Sequence, residues 1–99
     1  NMLFQNYPNP FNPVRDVTTR IEYSIGSGSN GTVRCSIKIY NVALELVKTL
    51  MDSDVLFGDK GYKEWDGKNE NGQVVSDGVY ICQLVSPSYK KVIKILLLK

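Results

Sequence analysis

Histidine is missing from the 99 residues, tryptophan occurs once and cysteine twice. Without histidine, neither an imidazole-built zinc site nor acid–base chemistry by the side chain that titrates nearest neutrality has a carrier. The two cysteines, Cys35 and Cys82, stand too far apart for the close spacings of metal or redox motifs. Both fall on inward positions of predicted strands, so they are read either as buried small apolar residues or as an inter-sheet disulfide.

Charge of one sign is also scarce. A net charge of +2 with acids and bases interspersed lacks the field that nucleic-acid binding needs, and no nucleic-acid partner is expected. The apolar run Ile93-Lys94-Ile95-Leu96-Leu97-Leu98 carries a lysine and falls far short of the ~20 residues of a membrane-spanning helix. It is strand-sized, and no membrane span is expected. Asn1-Met2-Leu3-Phe4 has neither the basic start nor the long apolar stretch of a signal peptide, so the chain reads as cytosolic or as a fragment of a longer exported protein.

Catalytic signatures are missing too. There is no Gly-x-Ser-x-Gly elbow, and Gly26-Ser27-Gly28 leads into a predicted strand rather than a phosphate-cradling helix. No catalytic residue, cofactor or enzyme activity is expected. Carboxylates gather at Asp52, Asp54 and Asp59, and at Glu64, Asp66 and Glu70, where solvated loop faces account for them. Residues 66–72 superficially resemble a calcium loop, but the third position is Lys68 and glycine falls seventh. No standard metal site is expected there, which leaves only an irregular ion site open. Asn30-Gly31-Thr32 is formally a glycosylation sequon and reads better as hairpin chemistry.

What is present points to a folded sandwich. The chain is 42% hydrophobic and 22% charged, the balance of a soluble globular domain. A chain of this length buries about two-thirds of its extended surface, enough for one core, so residues 1–99 are expected to form a single domain. Three prolines between positions 8 and 13 exclude a sheet-interior ladder and a helix there. Residues 1–17 are therefore read as an extended opening segment, whose Tyr7 and Phe11 must be buried against the rest of the chain.

Beyond it, alternation predicts strands over residues 18–25, with Ile21, Tyr23 and Ile25 on one face, and over residues 32–40. The intervening Asn30-Gly31 reads as the turn of a hairpin joining them. Residues 44–51 fit neither the strand nor the helix period fully and are read as a strand, followed by a polar connection over residues 51–60 with Val55, Leu56 and Phe57 tucked under the sheet. Strands are expected at residues 62–66, with Trp65 as the largest core candidate, at residues 79–85, central because both faces are apolar, and at residues 90–98. Asp66-Gly67, Asn71-Gly72 and Asp77-Gly78 supply tight turns with glycine at positive φ. Six or seven short strands without a convincing helix make an all-β antiparallel sandwich of the immunoglobulin-like kind.

Several of these segments carry a resemblance. Gln5-Asn6-Tyr7-Pro8-Asn9-Pro10-Phe11-Asn12-Pro13, then Ile37-Lys38-Ile39-Tyr40-Asn41, Trp65-Asp66-Gly67, Asn71-Gly72 with Ser76-Asp77-Gly78-Val79-Tyr80, and finally Lys90-Lys91-Val92-Ile93-Lys94 leading to Lys99, occur in an order that resembles the C-terminal sorting domain of proteins exported by the bacterial type IX secretion system. That family is similar in fold to the immunoglobulin-like domain of the flagellar hook-capping protein. One position departs from it: Leu44 stands where the family usually has a turn glycine, so either the turn is rebuilt or the next strand begins early.

The resemblance implies a function that composition and spacing do not show. It implies a C-terminal domain of a larger exported bacterial protein, with the parent polypeptide on its N-terminal side, recognised by secretion machinery at the outer membrane and carried through the periplasm to the cell surface. Lys90, Lys91, Lys94 and Lys99 are then candidate recognition residues, and equally candidates for blunting an edge strand. Tyr7, Pro8, Asn9, Pro10, Phe11, Trp65, Asp66, Gly67, Gly78 and Tyr80 are the motif's structural positions. Two alternatives remain: an assembly module like the hook-cap domain, and a carbohydrate-binding accessory module with Tyr40, Tyr62 and Tyr89 as a stacking platform.

Overall fold

The computed structural model describes residues 1–26 and 31–99. Seven strands, β1 (Met2–Leu3), β2 (Thr19–Ser24), β3 (Thr32–Tyr40), β4 (Leu46–Leu56), β5 (Lys60–Trp65), β6 (Gly78–Ser86) and β7 (Tyr89–Leu97), form two antiparallel sheets. One sheet runs β1-β2-β5 and the other β4-β3-β6-β7, packed face to face as an immunoglobulin-like sandwich. The inward faces are the ones that alternation selects. Thr19, Ile21 and Tyr23 of β2 face Cys35, Ile37 and Ile39 of β3, Tyr80, Cys82 and Leu84 of β6, and Ile93, Ile95 and Leu97 of β7, and all of these are buried. As its two apolar faces require, β6 lies between β3 and β7.

The hairpin expected between residues 18–25 and 32–40 does not form. β2 pairs with β1 and β5, whereas β3 pairs with β4 and β6, so the connection crosses from one sheet to the other. Asn30, and with it the Asn-Gly turn and the sequon, lies outside the described residues.

The region after Tyr40 also differs from the expectation. β4 starts at Leu46 and runs on to Leu56, through most of the supposed polar connection. Its register against β3 shifts between Ile37 and Lys38 and again between Ile39 and Tyr40. Two bulges in one strand pair offset the inward positions, which is why the spacing around Leu46, Val47 and Leu50 obeys no single period. Val55 is buried, but Leu56 is 64% exposed rather than tucked under the sheet. Before this strand, Leu44 takes the left-handed conformation at φ 63, and its N–H donates to the Asn41 carbonyl at 2.9 Å. The turn keeps the geometry that suits glycine and forces leucine into it.

The opening segment is less uniform than its prolines suggest. It contributes β1, contains cis bonds at Tyr7-Pro8 and Asn9-Pro10, and ends in one helical turn, α1 (Pro13–Asp16). Asn12 caps that turn, its Oδ1 accepting from the N–H groups of Val14 and Arg15. Pro13 sits at the first helical position, where no N–H is needed. Val17 then closes a γ-turn at φ 68, with the Thr18 N–H donating to the Asp16 carbonyl at 2.8 Å. Of the two aromatics, Phe11 is fully buried and Tyr7 is 81% exposed. The reading that both are buried is corrected: Tyr7 bridges Arg20 at the margin of the three-stranded sheet and turns its ring to solvent.

Candidate recognition surface

Residues from distant parts of the sequence meet at one end of the sandwich. The Phe11 and Trp65 rings lie 6.1 Å apart, and Trp65 and Tyr80 meet edge to face at 5.3 Å. The Trp65 indole N–H donates to the Lys68 carbonyl at 3.0 Å, and Asp66 Oδ1 accepts from the Lys68 N–H, which folds the Trp-Asp-Gly turn. Gly67, at φ +75, lies against Phe11 and Pro13 so closely that a Cβ there would come within 3.0 Å of the proline. The Tyr80 hydroxyl donates to the Ser76 carbonyl at 2.6 Å, four residues upstream at the corner that leads into β6, while Gly78 opens that strand at φ 153. Such a corner is a hallmark of immunoglobulin-like sandwiches. Burial and, secondarily, the charge of Asp77 push the Tyr80 phenol pKa up.

The opening segment also closes one edge of the four-stranded sheet. β7 is an edge strand. Phe11 donates its N–H to the Leu96 carbonyl at 2.8 Å and accepts from the Leu98 N–H at 2.9 Å; Asn9 Oδ1 accepts from the Leu96 N–H, and Gln5 Nε2 donates to the Lys94 carbonyl. These partners show that even-numbered residues of β7 turn their backbone groups to the edge. Pro8 contributes its carbonyl, which accepts from Thr19 Oγ1 at 2.9 Å and from Asn6 Nδ2 at 3.1 Å, whereas Pro10 is exposed. Asn6 and Thr19 are buried, and a further hydrogen bond between them satisfies both. Sequence reading missed this polar pair, since an isolated Asn and Thr carry no signal of burial.

The four candidate lysines do not form one cluster. Lys90 and Lys94 share the outer face of β7, alternating with Val92 and Leu96. Lys91 has the opposite parity, in register with the buried Leu84, and its side chain is exposed. Lys99 leaves the strand: its Nζ donates to the Val75 carbonyl at 2.9 Å and its N–H to Asp77 Oδ1 at 3.0 Å. Two residues outside the candidate set join the outer face instead, because β3 and β6 bring Lys38 and Gln83 into register beside Val92.

The supposed tyrosine platform is taken apart by topology. Tyr62 lies on β5 in the three-stranded sheet, with the Arg20 guanidinium 3.8 Å above its ring, while Tyr40 and Tyr89 sit at opposite ends of the other sheet. No coplanar row exists among them. Four of the carboxylates have local partners: Asp52 and Asp54 face Arg34 at 3.1 and 3.9 Å, Glu64 accepts from the Thr18 hydroxyl, and Glu70 Oε1 accepts from the Thr49 N–H on β4. The two cysteines are free and buried in the same sheet. Cys82 pairs in register with Ile39, four residues along β3 from Cys35, a separation of about 13 Å that rules out an inter-sheet bridge.

No family model matches the chain, and no curated protein matches it. Among solved structures the chain is similar to PorZ, an essential bacterial surface component of the type IX secretion system of Porphyromonas gingivalis, with 23% sequence identity and a TM-score of 0.62 over 96% of this chain. The match covers 11% of the PorZ chain, so this sequence spans about a tenth of that protein's length. The likeness is one of fold: the sandwich built here from 99 residues also occurs as one part of a much larger surface protein.

Proposed function

We propose that this chain is a non-catalytic sorting and surface-anchoring domain at the C-terminus of an exported bacterial protein, recognised by outer-membrane secretion machinery after passage through the periplasm. The observation that carries the reading is the convergence of the motif positions. Phe11, Trp65, Gly67 and Tyr80, separated widely in sequence, pack into one cluster that locks the opening segment onto the sandwich. Motifs that meet in space and stay buried specify a fold, and recognition then falls to what that fold presents outside. The fold is shared with part of PorZ, a bacterial surface component of the type IX secretion system, which supports the reading.

The test is transport of a folded reporter carrying residues 1–99 at its C-terminus, in a type IX-competent strain and in a matched strain lacking the system. Surface arrival in the first strain and periplasmic retention in the second is the expected result. Retention in both, while a native passenger of the competent strain is still exported, defeats the sorting reading in favour of an assembly module. Deleting β7 is not a usable control, because Ile93, Ile95 and Leu97 belong to the core.

A further inference from the structure

The opening segment seals only part of the β7 edge. Its hydrogen bonds to that edge begin at the Lys94 carbonyl and continue through Leu98, while β1 lies close beside β7 but is laddered only to β2. Among the described residues, the edge-facing N–H and C=O groups of Lys90 and Val92 and the N–H of Lys94 have no protein partner. An open half-edge of this kind can template another strand.

The outer face beside it has one sign of charge. Register places Ser36, Val85 and Lys90 in one row, Lys38, Gln83 and Val92 in the next, and Tyr40, Ile81 and Lys94 in the third. None of these is acidic, and Val85 and Val92 are 36% and 42% exposed. The carboxylates of this face, Asp52 and Asp54, lie on β4 at the opposite edge and are taken up by Arg34. Three strand spacings put them about 14 Å from β7, beyond the screening length of about 8 Å at physiological salt.

We infer that residues 90–94 of β7 form a docking edge for an extended acidic segment of a partner protein, which adds as a fifth strand and sets carboxylates beside Lys90 and Lys94 and an apolar side chain beside Val92. The free carbonyls of Lys90 and Val92 require N–H donors, which a phosphate or carboxylate polyanion lacks and a peptide backbone supplies at strand spacing. The same lysines repel a second copy of this edge, so blunting of self-association and selection of an acidic partner come from one pair of charges. This inference rests on the sorting reading for the identity of the partner, but its chemistry is testable alone.

The probe is a capped threonine-rich peptide with aspartate, valine and aspartate at alternating positions, compared with its lysine-for-aspartate counterpart. At saturation the acidic peptide is expected to slow amide exchange of Lys90, Val92 and Lys94 by about tenfold or more, and the basic peptide to leave it unchanged. The double variant Lys90→Glu/Lys94→Glu reverses that preference. Val92→Pro, which removes an edge-facing N–H and no ladder bond to β6, abolishes binding of either peptide, whereas Val92→Ala, which trims the side chain and keeps the N–H, retains it. No protection by the acidic peptide, equal protection by both, or protection mapped to β4 overturns the inference. In the reporter assay, surface arrival of the charge-reversed double variant sinks the docking edge while leaving the sorting function standing. Failure of the unaltered reporter sinks the sorting function, and the peptide experiment then judges the edge by itself.

Discussion

Phe11→Ala and Tyr7→Ala separate two aromatics that the sequence presents as equivalents. Phe11 is fully buried against Trp65, and its backbone bridges Leu96 and Leu98; Tyr7 is 81% exposed. Truncating a buried phenylalanine costs about 3–5 kcal/mol, out of the roughly 5–15 kcal/mol that stabilise a domain of this kind. At about 4–8 °C per kcal/mol, the melting temperature falls by roughly 12–40 °C. Tyr7→Ala changes stability by no more than about 0.5 kcal/mol. Urea unfolding followed by the fluorescence of Trp65, the single tryptophan, measures both variants and senses the site itself. Exchange at the Leu96 and Leu98 amides adds a local readout, since their partners are the Asn9 side chain and the Phe11 carbonyl. A loss below about 1 kcal/mol for Phe11→Ala, or equal losses for the two variants, refutes the role given to the opening segment.

Leu44→Gly is expected to stabilise the protein by about 0.5–1 kcal/mol, the left-handed penalty of an L-residue reduced by the extra chain entropy of glycine; Leu44→Ala keeps φ 63 and gains nothing, and thermal melts of the pair decide it. Tyr23 and Tyr80 are held above the ordinary phenol range mainly by burial, and additionally by the charges of Asp59 and Asp77. Because the folded state favours the protonated phenol, their contribution is complete below the unfolded value near 10 and is lost as pH rises through the higher folded values. Ultraviolet titration of phenolate alongside unfolding between pH 9 and 12 is expected to show late ionisation with declining stability, and ordinary titration of both groups contradicts it. Burial pushes the Cys82 thiol up to about 12, and Cys35 is raised for the same reason, so neither reacts with a thiol reagent at neutral pH until the protein unfolds. Rapid native labelling of Cys82 is the contrary result.

Local rules sufficed wherever a segment's own chemistry set its conformation. Alternation over residues 32–40 gave β3 its limits, Trp65 was legible as core from its size, and Cys35 and Cys82 were legible from their inward positions. The glycines of the Asx-Gly pairs have positive φ, as their turn chemistry requires. The reading failed where a segment's partner lay far away in sequence. An Asn-Gly pair between two good strands reads locally as a hairpin, yet β2 and β3 belong to different layers because β5 and β6 offer them their apolar neighbours. Bulges in β4 depend on its register with β3 and leave no pattern of their own.

The candidate surface divides along the same line. By itself the sequence determined the strand character of its last stretch, the alternation of lysine with apolar residues there, and the lack of histidine-based chemistry, because each is a property of neighbouring positions. Only the tertiary structure decided that Lys90 and Lys94 stay on the free face while Lys99 is tied to Val75 and Asp77, that Phe11 is core and Tyr7 is not, and that half of the β7 edge has no hydrogen-bond partner among the described residues. Those outcomes follow from which strand becomes an edge and which distant segment covers it, and pairing across the whole chain fixes both.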